Sequence, residues 1–140
     1  MTSLKRFSDW PERLSAHIHA RLKEPFVWGK NDCCLFAMDC VMAITGDDLA
    51  TPYRGYTSQR QALQMLKEHG GIVGIAEAVA HKYAIPEIAP SMAGRGDVCL
   101  FDVGHGDTLG ICAGSSIFAP GPAGLVGTPA LQALRAWRIG

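Results

Sequence analysis

The chain reads as an α+β domain, with helices first, antiparallel strands after, and a central cysteine-bearing helix packed on the sheet. Three observations lead there. Apolar residues recur at helical spacing as far as Tyr83, while from Asp97 onward the pattern changes to short β-type runs divided by glycine turns. Within the helical half, Trp28-Gly29-Lys30-Asn31-Asp32-Cys33-Cys34-Leu35-Phe36 joins a tight turn, a helix start and two thiols in one short run.

Ser8 and Asp9 supply caps for a first helix, Glu12 stands in capping-box position to Asp9, and Pro11 fits a first turn. Trp10, Leu14, Ile18 and Leu22 then recur every four residues, one narrow face for docking, and the helix ends before Pro25. His17 and His19 lie about 200° apart around such a helix, cannot share an ion, and read as surface residues. Asn31 and Asp32 are capping types for the next helix, apolar out to Ile44 and stopped by Gly46. Residues 47–56 form an irregular connection in which Tyr53 and Tyr56 anchor the loop to the core, or else line a groove with Arg54. Ser58 with Gln61 opens a third helix through Ala62, Leu63 and Leu66 that ends at Gly70-Gly71. Ile75, Val79 and Tyr83 mark a fourth, which Pro86 stops. Gly71 and Gly74 are followed by no Gly-Lys-Ser or Gly-Lys-Thr element, so a phosphate cradle is excluded.

In the second half, Val98 to Val103 and Thr108 to Ala113 form the arms of a hairpin around Gly104-His105-Gly106-Asp107. Short strands at 117–119 and 125–127 flank the Gly-Pro-rich turn 120–124. Thr128-Pro129 starts a brief helix through Leu134, and Trp137-Arg138-Ile139 closes the chain as a strand.

Composition bounds the function. The 140 residues make one domain, and a 48% hydrophobic content suits a globular protein with a real core. Thirteen basic and thirteen acidic residues cancel, and neither sign forms a long run, which argues against nucleic acid and anionic membranes as partners. No apolar stretch nears the roughly 20 residues of a membrane span, and the N-terminal residues lead into no signal-type run, so synthesis in the cytoplasm without membrane insertion is expected. Five cysteines without CxxC spacing point away from a disulfide scaffold. Neither cofactor nor metal is expected: Cys33 and Cys40 share a face but sit about 10 Å apart along the axis.

Cys33 is the candidate site. In the first helical turn, free amides and the positive end of the macrodipole favour a thiolate, the reactive form. Against this, Phe36, Ala37, Cys40 and Ile44 fall within about 60° of it, so periodicity reads Cys33 as a buried packing residue. Cys34, about 100° around the helix, reads as packing too.

The stretch from Trp28 to Phe36 resembles the nucleophile segment of NlpC-type cell-wall peptidases, a branch of the papain-like cysteine peptidases, which usually read Asp-Cys-Ser-Gly-Phe or Leu. A closer resemblance is to small proteins encoded in the tail modules of tailed bacteriophages and prophages. It rests on Trp28-Gly29, Asn31-Asp32-Cys33, Thr45-Gly46-Asp47-Asp48, Arg54-Gly55-Tyr56, Gly70-Gly71, Gly96-Asp97-Val98, Leu109-Gly110-Ile111 and Ala136-Trp137-Arg138-Ile139. The resemblance implies a single papain-like domain over residues 1–140, with Cys33 at the nucleophile position. The base of those enzymes opens a run like His-Val-Gly-Ile-Tyr; here Thr108 stands in its place. The orienting residue falls near Ala119 and Pro120, neither of which holds an imidazole. A hydrolase needs a base within about 3 Å of its thiol and a group to orient it. His105 is the nearby substitute, although an extended segment would carry it about 10 Å away and onto the opposite face. His69 and His81 have no reason to face Cys33, and Asp97 and Asp107 read as turn caps. The expectation is therefore a tail-tip structural or assembly protein of degenerate NlpC-like fold, partnered by other tail proteins and retained in the virion or acting in assembly. The alternative is a peptidase that cuts peptidoglycan stem peptides during phage entry, with Cys33 and His105 as its catalytic pair.

Overall fold

The computed structural model describes residues 2–140. They form four α-helices, α1 (Trp10–Arg21), α2 (Cys33–Thr45), α3 (Gln59–Glu68) and α4 (Gly71–Lys82). A six-stranded sheet follows: β1 (Glu87–Ile88), β2 (Val98–Phe101), β3 (Thr108–Cys112), β4 (Ser116–Gly121), β5 (Gly124–Pro129) and β6 (Arg135–Trp137). Its order is β1-β6-β2-β3-β4-β5, and every pairing is antiparallel. The expected α+β class and the β2–β3 hairpin are both present.

The core is built on α2. Ten of its thirteen residues are buried, as befits a helix that is apolar nearly all round. Asp32 caps it by accepting the Leu35 amide at 3.0 Å, and Gly46 ends it at φ 84°, a left-handed conformation that favours glycine. Leu14 of α1, Ile75 of α4, and Leu100, Leu109 and Ile111 of the sheet close around it. The other face of the sheet holds a smaller cluster of Cys99, Phe101, Cys112 and Ile117. Alanines in and beside the 3₁₀ turns Pro90–Met92 and Ala130–Gln132 pack on it.

Asp97 ties the ends of the chain to the sheet. Its buried carboxylate accepts from the Gly94 amide at 2.8 Å, the Ile139 amide at 3.0 Å and Arg6 Nη2 at 3.0 Å. It is a turn cap, as expected, and a fastener for both termini besides.

Several local expectations are corrected. Asp9 does not cap α1 with its side chain, because its carboxylate is taken by Arg13 Nε one turn on, at 2.7 Å. His17 is not a surface residue: it is half-buried and stacks on Phe36 with ring centroids 6.1 Å apart. The residues after β5 make only one 3₁₀ turn, Ala130–Gln132, since Thr128 and Pro129 belong to the strand. The closing strand sits two residues earlier than expected, and Trp137 on it is buried in the core. Strand β1 has no periodic signal of its own and exists through its pairing with β6.

Candidate functional site

Cys33 stands in the first turn of α2, half-buried, with its sulfur turned to the sheet. The turn before it is fixed by three polar groups. Asn31 holds the approach by donating from Nδ2 to the Pro25 and Glu24 carbonyls at 3.0 and 3.3 Å, and Arg21 Nη1 donates to its Oδ1 at 3.1 Å. Asn31 is thus a staple for the turn, and Asp32 alone is the cap. Asp32 Oδ2 accepts from the Gly29 amide at 3.0 Å and, in a short hydrogen bond, from the Tyr56 hydroxyl. Gly29 is required here: its φ is 79°, and a Cβ would lie 2.0 Å from the Tyr56 carbonyl oxygen.

Tyr56 arrives on the 47–56 connection, which is anchored independently. Arg54 Nη2 donates to Asp39 Oδ1 at 2.7 Å and to Asp48 Oδ1 at 3.0 Å, while Arg21 Nη2 takes the other Asp39 oxygen at 3.0 Å. Arg54 therefore lines no groove. Tyr53 and Tyr56 are buried anchors, as the sequence favoured, and Tyr56 has the second role of a wall beside Cys33.

The ladder between β3 and β4 is short. It pairs Ile111 with Phe118 and Cys112 with Ile117, then stops, whereas β4 and β5 stay in register over six pairs. The Leu109 backbone of β3 lies against the Cys33 sulfur, and a cleft of about 820 Å³ opens beside it. Phe26 and Trp28 line one side, in edge contact with centroids 4.7 Å apart. Leu63 and Leu66 of α3 line another, and Thr108, Ala119 and Pro120 flank the strands where they part.

Burial pushes the Cys33 thiol up, and the neighbouring Asp32 carboxylate adds to the rise; the Leu109 amide opposes it. Of the two readings of Cys33, burial thus favours the thiol that periodicity indicated over a thiolate at the helix N-terminus. The macrodipole favours the anion by about a kcal/mol, less than the loss of water around a sulfur enclosed by apolar walls. Cys34 is buried and likewise driven up, so it packs, as expected.

His105 lies in the β2–β3 loop, exposed, yet it lines the same cleft as Cys33. The segment is not extended, so the displacement that an extended run would impose does not arise, and the loop folds back. Asp102 Oδ1 accepts the Gly104 and Gly106 amides at 2.8 and 3.1 Å, which curls the segment over the cleft. Asp107 also lines the cleft and caps nothing: among the described residues no donor reaches its carboxylate. His69 instead makes an edge contact with Tyr53 at 5.0 Å, and His81 lies exposed on α4. Sequence reasoning missed Phe26, Trp28 and Phe101 as cleft walls. The available signal was an aromatic pair two residues apart, just before the cap of the cysteine helix. Among the described residues no group of three or more His, Cys, Asp or Glu side chains could hold a metal ion. Among the described residues no helix is long and apolar enough to cross a membrane.

The fold and the site define an α+β protein with an apolar, thiol-bearing cleft at the N-terminus of its core helix. The chain belongs to the family described as Domain of unknown function (DUF6950), whose model matches residues 5–139. No curated protein matches it.

Proposed function

We propose that this protein is a non-catalytic relative of the NlpC-type peptidases that works by attachment, as a structural or assembly component near the distal end of a phage tail. One observation carries the loss of catalysis. Thr108, Ala119 and Pro120 stand at the positions that the resemblance assigns to base and orienter, and all three line the cleft beside Cys33. None can carry a proton between a thiol and a leaving group near neutral pH, and burial keeps Cys33 in its thiol form. The substrate chemistry points the same way. Peptidoglycan stem peptides carry carboxylates, and no lysine or arginine lines the cleft to pair with them.

The tail assignment rests on the order of motifs from Trp28 to Ile139, with support from a zero net charge that removes long-range repulsion between packed copies. Purified protein incubated with peptidoglycan fragments is expected to release no Cys33-dependent product, and pull-down from phage-producing cells is expected to recover tail proteins. If deletion of the gene left tail assembly, adsorption and DNA entry intact, the tail reading would be wrong.

A second reading has its own observation: His105 and Asp107 share the cleft with Cys33. In it Cys33 attacks the scissile carbonyl and His105 passes the thiol proton to the leaving amine. Turnover that is lost in both Cys33→Ser and His105→Ala would establish this reading and overturn the first.

A further inference from the structure

We infer that the cleft beside Cys33 is a binding site for a small cationic amphiphile, an alkyl- or arylamine whose apolar body fills the cleft and whose ammonium sits at the mouth by Asp107. The inference stands on the cleft alone and is independent of the tail assignment. Its volume of about 820 Å³ falls in the range of small-molecule sites.

Three features select the charge of the ligand. The first is the set of rings. Phe26, Trp28, Tyr56 and Phe101 all line the cleft, and aromatic faces attract cations through their quadrupole. At four rings elsewhere the chain supplies the cation itself: Arg6 and Arg95 approach Trp10, Arg13 covers Phe7, Lys82 covers Tyr83 and Arg135 covers Trp137. Among the described residues no such cation covers a ring of the cleft.

The second is the pair of carboxylates. Asp32 at the inner end is already satisfied by the Leu35 and Gly29 amides and the Tyr56 hydroxyl, so it offers field rather than a free acceptor. Asp107 at the rim has no donor among the described residues and is the open acceptor for an ammonium. The third is what is missing from the lining. It includes no lysine or arginine, so a carboxylate or phosphate would enter an apolar space facing two acids, with the exposed His105 imidazole at the loop as its one basic group. A neutral ligand of the same shape would gain the apolar burial but neither charge interaction.

The test uses three ligands with one body and three ends: 4-phenylbutylamine, 4-phenylbutanol and 4-phenylbutanoate. Each is titrated calorimetrically into the full-length protein. Peptide mapping after iodoacetamide treatment then reads whether the bound ligand shields Cys33. The expected order is amine, alcohol, acid, with the amine about tenfold or more tighter than the acid. Asp107→Asn is expected to weaken the amine several-fold and leave the alcohol unchanged. Trp28→Leu, which keeps an apolar wall and removes a quadrupole, is expected to cost the amine more than the alcohol. Acid binding equal to amine binding, an amine preference that survives in both variants, or binding that leaves Cys33 unshielded would each overturn the proposal. So would failure of all three ligands to bind.

Discussion

Replacing Asp32 with alanine tests how the cleft is held together. The carboxylate is 1% exposed and serves three donors: the Leu35 amide at the start of α2, the Gly29 amide in the preceding turn, and the Tyr56 hydroxyl. Loss of the cap costs about 1 kcal/mol. The Tyr56 hydroxyl is left as a buried donor without a partner, at about 1–3 kcal/mol, and the Gly29 amide adds about 1 kcal/mol more. Because these groups share one acceptor the terms do not add fully, and the expected total is about 2–4 kcal/mol, a fall in Tm of about 7–14 °C. Urea unfolding followed by tryptophan fluorescence and far-UV circular dichroism measures it. Tyr56→Phe supplies the cycle: it costs about 1–2 kcal/mol in the natural sequence and nothing, or a slight gain, where Asp32 is already absent. A loss under about 1 kcal/mol for Asp32→Ala, or an equal effect of Tyr56→Phe in both backgrounds, would refute the reasoning.

Two further predictions concern titration. Burial and the nearby Arg21 guanidinium lower the His17 pKa below 6.5, so as pH falls the unfolded chain takes up this proton before the folded one does. Stability is therefore full above about pH 6.5 and declines as pH drops toward the folded-state value; Tm measured at pH 7.5 and 5.5 should show a fall that shrinks in His17→Phe, and an equal fall in both proteins would be evidence against it. The Cys33 thiol is pushed above its ordinary value of 9.0, so its alkylation by iodoacetamide should keep rising with pH past 9. A plateau reached below pH 8 would mark a stabilised thiolate and contradict the burial argument.

Helix α2 was legible because every local signal agreed: a capping aspartate, an apolar run, and a glycine able to take φ 84° at its end. The α3 start was legible for the same reason. Ser58 accepts the Gln61 amide at 3.2 Å, and the Gln61 side chain returns to the Thr57 amide at 2.8 Å, one residue earlier than an ideal box. Where two local partners compete, sequence cannot choose. Asp9 had both its own helix amides and Arg13 within reach, and the charged partner took it. His17 looked exposed because its burial comes from Phe36, a residue of another helix. β1 was illegible because two residues carry no period, and only their register against Ala136 and Trp137 makes them a strand.

The candidate site divides along the same line. Cys33 and its cap came from adjacent residues, whereas the cleft depends on where a ladder stops. Nothing in Thr108-Leu109-Gly110 or Ala119-Pro120-Gly121 announces that β3 and β4 part beyond Ile111 and Phe118. Gly110 helps define that limit, since a Cβ there would lie 2.7 Å from the Phe118 carbonyl oxygen and 2.6 Å from Ile117 Cγ2. The strands are thus held tightly together at one point and released at the next, where the Leu109 backbone lies against the Cys33 sulfur. That contact and the start of α2 both favour negative charge on the sulfur, while the walls and Asp32 oppose it. The present balance lies with the thiol. An ammonium held in the cleft would shift it toward the thiolate by adding the one positive charge that the lining lacks.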